Sequence, residues 1–332
     1  MNNEVIKEVE LGNKKSISSD NIFNMTKKLK FSSYGVYIAL FIIVIFNMFY
    51  TKNFLSINTF WNLIIYSTTI IFVAMGMNLV ISTGGIDISV GSTMALAGTT
   101  LALFMGKIGL IPAFILAIFI SFIPGFIIGT IIEKFNIQPI ITTLAMMIAI
   151  RGFAQIISKG AIITFNQPIL ENIAYYRISG TIPIQAIYIV IVVGFFYIFV
   201  NKTIWGRYIE ALGDNKEASI IMGVNVKRII KFVYIIMSFI AGMAGILEAA
   251  RLSSANPNSL GQLMELDAIA AVAIGGTMMS GGKPKIINTV IGVFIMQLIT
   301  MTINMNNIQY SYSLIFKAII IVLAVYIQRE KK

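Results

Sequence analysis

Residues 60–82 read FWNLIIYSTTIIFVAMGMNLVIS, and residues 83–92 continue as TGGIDISVGS. The first stretch carries no charge and is long enough to cross the hydrocarbon core of a bilayer, which takes roughly 20 mostly apolar residues. The second stretch breaks it. Gly84 and Gly85 end one helix, and Asp87 to Ser89 can cap the next. Backbone freed by such a break at membrane depth must face protein or a water-lined cavity, because lipid offers no hydrogen bonds. Asp87 can therefore serve as a helix cap or face a transported solute, and the two roles are compatible.

The same apolar pattern recurs along the chain. Spans are predicted at about 33–50, 60–82, 88–106, 110–132, 138–158, 182–201, 229–250, 262–280, 286–303 and 310–328. The third and eighth are the richest in Gly, Ser, Thr and Ala. Composition agrees. Apolar residues make up 57% of the 332 residues and charged residues 12%, against about 45–50% and about 25% in soluble domains. The expected fold is an all-α polytopic membrane protein of about ten transmembrane helices.

Charge sets the orientation. With the N-terminus inside, eighteen Lys and Arg fall in inside segments and five in outside segments. This places both termini in the cytoplasm. Residues 1–32 are expected to form a polar cytoplasmic tail without the apolar region of a cleavable signal. Residues 33–328 form the membrane domain, and 329–332 a short cytoplasmic end. The net charge of +11 is distributed as topology requires, so nucleic acid is not an expected partner. The absence of Cys and His removes disulfides and the usual ligands of zinc, haem and iron–sulfur clusters, and no cluster of carboxylates suggests another metal.

Three constellations carry candidate function. Around the first break, Asn78, Gly84, Gly85 and Asp87 are candidates for the translocation path. Gly91, Ala95, Gly98 and Ala102 behind it form a small-residue face suited to close helix packing. Gly125 and Gly129, and Ala241, Gly245 and Ala249, repeat the spacing. In the second constellation, Glu265 and Asp267 are expected at the outer start of the eighth span, where acids favour the helix dipole. Gly275 and Gly276 interrupt its inner part. Arg151 in the fifth span is a functional candidate by its depth; it can snorkel to an interface or pair with Glu265 or Asp267. Lys317 in the last span has the same alternatives. Gln138, Gln155 and Asn166 are further polar groups near a path.

The third constellation lies in the long loop 202–228, about 27 residues on the cytoplasmic side. Asp214 or Asn215 can cap a short helix over 216–222, and Gly223 can stop it. A short helix displayed there suits docking. No G-x-x-x-x-G-K-[ST] occurs in the chain, so ATP-driven transport would need a separate motor.

The run Gly76-Met77-Asn78-Leu79-Val80-Ile81-Ser82-Thr83-Gly84-Gly85-Ile86-Asp87-Ile88-Ser89-Val90-Gly91 resembles the signature of ribose-type sugar permeases of the ATP-binding-cassette (ABC) importers. So do Glu265-Leu266-Asp267-Ala268-Ile269-Ala270, with Ile274-Gly275-Gly276-Thr277 and Ser280-Gly281-Gly282, and Glu210-Ala211-Leu212-Gly213-Asp214-Asn215 before Ala218 and Gly223-Val224. Ile137-Gln138-Pro139, Thr143-Leu144, Arg151-Gly152 and Ile163-Thr164-Phe165-Asn166 look most like the galactofuranose-type subgroup. The loop Lys283-Pro284-Lys285 departs from the common pattern, in which Gly or Arg is usual.

The resemblance implies a permease importing galactofuranose, ribose or a similar monosaccharide across the bacterial cytoplasmic (inner) membrane. Its implied partners are a second permease, identical or homologous, a cytoplasmic ABC ATPase and an extracytoplasmic sugar-binding protein. ATP and magnesium would sit on the ATPase, with no cofactor, catalytic residue or metal in this chain. Glu210, Gly213, Asp214, Asn215, Glu217, Ala218 and Gly223 would couple to the ATPase. The competing classes are an ion-coupled secondary transporter, which also uses broken helices and buried ionisable groups, and a membrane enzyme, which the missing histidines and cysteines disfavour.

Overall fold

The computed structural model describes residues 19–309 and 311–328. The ends of the expected terminal segments, residues 1–18 and 329–332, lie outside them. Thirteen α-helices run in chain order among the described residues: α1 (Ser19–Tyr50), α2 (Ile57–Ser82), α3 (Val90–Ile108), α4 (Leu110–Phe135), α5 (Pro139–Ser158), α6 (Pro168–Tyr175), α7 (Ile184–Lys202), α8 (Ile204–Asp214), α9 (Lys216–Ile221), α10 (Val226–Leu252), α11 (Met264–Ile274), α12 (Ile286–Met305) and α13 (Ser311–Gln328). The first helix begins at Ser19, well before the span expected from residue 33. Two antiparallel pairs of two-residue strands complete the fold. β1 (Ile163–Thr164) pairs with β4 (Ser254–Ala255), and β2 (Arg177–Ile178) with β3 (Ile182–Pro183).

Among the described residues, six helices are long and apolar enough to cross a membrane: α2, α4, α5, α7, α10 and α12. Shorter apolar stretches run through 35–50 of α1 and 311–323 of α13. The protein is thus an all-α, multi-pass membrane protein. The remaining two expected spans take a different form. Helix α3 has 19 residues, but its Gly, Ser and Thr lower its hydropathy, and it is buried from Val90 to Ala102. Helix α11 has only 11 residues. At about 1.5 Å per residue it is about 16 Å long, roughly half the hydrocarbon thickness. The continuous span expected over 262–280 is therefore a half-helix followed by irregular chain.

The core forms around α2 and α10. In the apolar window of α2, 89% of residues are buried, against 22% in α5, so α2 is central and α5 faces outward. Close approach is achieved with glycine. A Cβ on Gly125 of α4 would meet Ile235 Cα at 2.8 Å, and one on Gly129 would meet Lys231 Cα at 2.8 Å. A Cβ on Gly245 would meet Met94 Cα at 2.6 Å and overlap its carbonyl oxygen. The small-residue faces read from the sequence are thus the seams of α10 against α3 and α4.

Gly194 of α7 has open space on its Cβ side. Gly245→Val is expected to destabilise the purified protein by about 1–3 kcal/mol through overpacking, lowering its thermal unfolding midpoint in detergent, while Gly194→Ala leaves the midpoint within error of the parent. Equal midpoints for the two variants would contradict the packing described.

Candidate functional site

The break after α2 begins as a hydrogen-bonded turn. The Gly84 amide donates to the Ile81 carbonyl at 2.8 Å and the Gly85 amide to the Val80 carbonyl at 3.1 Å. Gly84 takes φ +79°, a left-handed value that glycine adopts without a Cβ penalty. Asp87 then turns the chain back. Its Oδ1 accepts from the Ser89 amide at 2.8 Å and from Ser89 Oγ at 2.6 Å. The expected side-chain cap of α3 is not formed: Asp87 is spent on the turn before it, and the N-cap residue, Ser89, makes no side-chain capping bond. Asp87 Oδ2 is buried with no hydrogen-bond partner among the described residues.

The second break lies alongside. Residues 256–263 descend past α3: a Cβ on Gly98 would meet Leu260 Cδ2 at 2.5 Å, and one on Gly261 would meet Gly91 Cα at 3.0 Å. A Cβ on Gly91 would also meet Glu265 Oε2 at 2.8 Å. Helix α11 therefore begins beside the start of α3, midway through the bundle. Glu265 and Asp267 stand at that depth, where the sequence placed them near an interface. The reason is the shortness of α11, which cannot reach the far end of the bundle.

Arg151 does not form an ion pair within 4 Å among the described residues. Its Nη1 donates to the carbonyls of Pro257 at 3.0 Å and Leu260 at 2.8 Å, pinning the descending chain. Glu265 lies close enough to feel Arg151, Asp267 and Asp87 electrostatically. Glu265 Oε2 also lies beside Gly91 at the start of α3. Asp267 has its own partner: Lys317 Nζ stands 2.8 Å from Oδ1 and 2.9 Å from Oδ2. Their side chains are 19% and 9% exposed, so this is a mostly buried pair tying α13 to α11.

Five further candidates lie elsewhere. Asn78 is fully buried; its Nδ2 donates to Thr289 Oγ1 at 2.6 Å and its Oδ1 accepts from Thr277 Oγ1 at 3.4 Å. It holds α2 to α12 and to the chain after α11. Gly275 packs against the Thr289 backbone, and Gly276 turns the chain at φ +82°. Gln138 is the exposed N-cap residue of α5, and Asn166 is exposed beyond β1.

Both breaks converge on the third constellation. Asn215 Oδ1 accepts from the Ala218 amide at 2.9 Å, capping α9, while Asp214 closes α8. Gly223, at φ +80°, ends the segment. Immediately before the cap, Gly213 enters a backbone junction. A Cβ there would overlap the Ser82 carbonyl oxygen and the Gly282 amide. The Gly282 amide donates to that same Ser82 carbonyl at 3.0 Å, and a Cβ on Gly281 would meet the Gly213 carbonyl oxygen at 2.7 Å. The ends of α2 and α8 and the chain after α11 thus meet with no side chain between them. Glu210 makes a long, exposed contact of 3.8 Å to Lys283, worth little by itself. Glu217 is exposed on α9. Ile221 and Met222 are 86% and 69% exposed, two apolar side chains standing free at the tip of the capped helix. The sequence reading passed over them, although their place just before Gly223 is visible.

At the opposite end, the long segments after α5 and after α10 form one surface. Phe165 donates its amide to the Ser253 carbonyl at 3.1 Å beside the β1–β4 pair, Gln155 Nε2 donates to Asn258 Oδ1 at 2.8 Å, and Tyr175 Oη donates to the Arg251 carbonyl. Among the described residues, no group of three or more His, Cys, Asp and Glu is placed to hold a metal.

Replacing Lys317 by Met leaves the Asp267 charge without its partner in a low-dielectric setting. The expected cost is about 3–5 kcal/mol, read as a fall in the unfolding midpoint. Lys317→Met with Asp267→Leu should recover most of that loss, and a double variant as unstable as the single one would show that the two charges do not compensate each other.

A family model described as "Branched-chain amino acid transport system / permease component" matches residues 59–325. The ribose import permease protein RbsC of Escherichia coli (strain K12) is 35% identical over 303 residues, covering 89% of this chain and 93% of that protein. The galactofuranose transporter permease protein YtfT of the same organism is 35% identical over 262 residues, covering 78% and 76%. The fructose import permease protein FruF of Bifidobacterium longum (strain NCC 2705) is 33% identical over 327 residues, covering 93% and 91%. No solved structure matches this chain.

Proposed function

We propose a transport function on one premise: the chain belongs to the family of branched-chain amino acid transport system permease components, whose model it matches over most of its length. Within it, the curated relatives described above are all named for sugars. The chain is the membrane-spanning permease of a sugar importer, taking a monosaccharide such as ribose, galactofuranose or fructose into the cytoplasm. It lies in the bacterial cytoplasmic membrane as a multi-pass protein.

The finer reading has four parts. First, the six long apolar helices, the apolar parts of α1 and α13, helix α3 and the half-helix α11 make ten crossings, with both termini and α9 cytoplasmic. Second, α9 is the helix on which a separate ABC ATPase pushes; ATP and magnesium are bound there and not in this chain. Third, the surface joining 159–181 to 251–262 receives an extracytoplasmic sugar-binding protein, and a second permease, identical or homologous, completes the path. Fourth, Asp87, Arg151 and Glu265 line or shape that path where the broken helices meet.

The observation that carries this reading is the pairing of exposed Ile221 and Met222 at the end of α9 with the Gly213 junction that precedes α9 in the chain. An exposed apolar tip gives a partner something to bury. A backbone junction gives displacement of that tip no soft side chain to be absorbed in. The ATPase can drive the cycle because its nucleotide states bind the tip differently, and a ligand shifts only states that it distinguishes.

Two substitutions test the coupling without touching the core. Ile221→Asp and Met222→Asp should each cut sugar-stimulated ATP hydrolysis and uptake by about tenfold or more in proteoliposomes holding the complete importer, a loss of about 1.4 kcal/mol or more of coupling energy. The unfolding midpoint of the permease should stay where it is, since both side chains face solvent. Undiminished coupling in both variants would remove α9 from the motor interface. Uptake by the permease alone, driven by a proton or sodium gradient, would favour the ion-coupled alternative. Because the chain has no cysteine, Lys216→Cys supplies a single thiol for topology. A membrane-impermeant maleimide should label it from the cytoplasmic face; labelling only from outside would invert the proposed orientation.

A further inference from the structure

Beneath the Gly84–Gly85 turn lies a cavity of about 670 Å³, between the adjoining ends of α4, α5 and α10 and the short helix α9. Its size is that of a small-molecule site, and its walls are the two elements whose relative motion the proposed cycle requires. The turn after α2 forms one wall. Lys216 and Ile220 of α9 form another.

The lining has a definite chemistry. Tyr234 faces the cavity at 1% exposure, and its hydroxyl has no hydrogen-bond partner among the described residues. A buried phenol normally finds one. That hydroxyl is packed against Gly85, where a Cβ would stand 2.5 Å away, so only glycine leaves it room there. Lys216 and Lys227 supply two ammonium groups with no carboxylate within 4 Å among the described residues. Glu133 also faces the cavity, but Lys231 stands 3.3 Å from it, so the unbalanced charge is positive. Asn225 spends its Oδ1 on the Arg228 amide at the start of α10, which leaves its amide nitrogen as a donor. Ile132, Leu212 and Ile230 form apolar wall.

We propose that this cavity binds a sugar monophosphate from the cytoplasm and that the bound ligand restrains import. The two lysines suit a phosphomonoester. The Asn225 amide suits a sugar hydroxyl, and the apolar wall suits the C–H face of the ring. A neutral sugar would gain nothing from the two exposed ammonium groups, and inorganic phosphate would leave most of the volume unfilled. A ligand bridging α9 and the Gly84–Gly85 turn holds their spacing, and so favours whichever state has that spacing. The restraint rests on the reading of α9 as the coupling helix; the binding does not.

The test therefore begins with binding to the full-length permease in nanodiscs of zwitterionic lipid, without ATPase or binding protein. Ribose 5-phosphate, ribose and inorganic phosphate are titrated by calorimetry. Ribose 5-phosphate should bind saturably and more tightly than either of the others. Lys216→Gln with Lys227→Gln should weaken it about tenfold or more, about 1.4 kcal/mol, with the unfolding midpoint retained. No saturable binding, binding unaffected by the lysine pair, or equally tight binding of inorganic phosphate would overturn the proposal. So would loss of binding in nanodiscs containing phosphatidylglycerol, which would identify a lipid headgroup as the occupant. In proteoliposomes of the complete importer, enclosed ribose 5-phosphate should lower ATP-driven uptake by the parent by a larger fraction than in the lysine variant; equal fractional inhibition would overturn the restraint while leaving the importer reading intact.

Discussion

At Gly213 three stretches of backbone touch: the end of α8, the end of α2 at Ser82, and the Gly281–Gly282 turn that follows α11. The constraint behind this junction is the scarcity of hydrogen-bond partners in a lipid-embedded protein. A helix broken within the bundle frees amides and carbonyls that lipid cannot satisfy. Here the freed Ser82 carbonyl receives the Gly282 amide, so one break answers the other. The arrangement leaves no volume for a side chain. It places the capped helix α9 two residues beyond the contact, through Asp214 and Asn215. Whatever moves α9 therefore acts on the ends of both broken elements directly.

The same economy governs the charges. An ionised group in a low-dielectric interior is tolerated when paired or well hydrogen-bonded. Lys317 and Asp267 answer one another across α13 and α11. Arg151 is answered by two carbonyls of the descending chain, which has no helix to bond its own backbone at that point. The arginine thereby fixes the course of the segment that enters α11 and that also carries β4 and the surface at the far end of the bundle. Site and platform share one strut.

Much of this was legible in residue order. The cap at Asn215 and the stop at Gly223 follow from local chemistry, as do the turns at Gly84 and Gly276, because each is settled within about four residues. The seams at Gly125, Gly129 and Gly245 were visible as periodic small residues, although not which helix each would face. Partner choice was not legible. Arg151 was as near in type to Glu265 as Lys317 to Asp267, yet only the second couple formed an ion pair. Nor was the depth of Glu265, because an apolar stretch over 262–280 reads as a full span until its helix is seen to begin at Met264 and end at Ile274.

What the chain order alone determined is the solvent and the punctuation. A sequence this rich in long apolar stretches requires lipid, and its glycine pairs and capping residues dictate where helices stop. The tertiary structure decided that Ser82, Gly213 and Gly282, separated by well over a hundred residues at the extremes, occupy one point, and that Arg151 meets the carbonyls of Pro257 and Leu260. Such meetings depend on how helices tilt and on how closely their backbones approach. Those quantities are set by packing summed over many side chains, and no short stretch of sequence contains them.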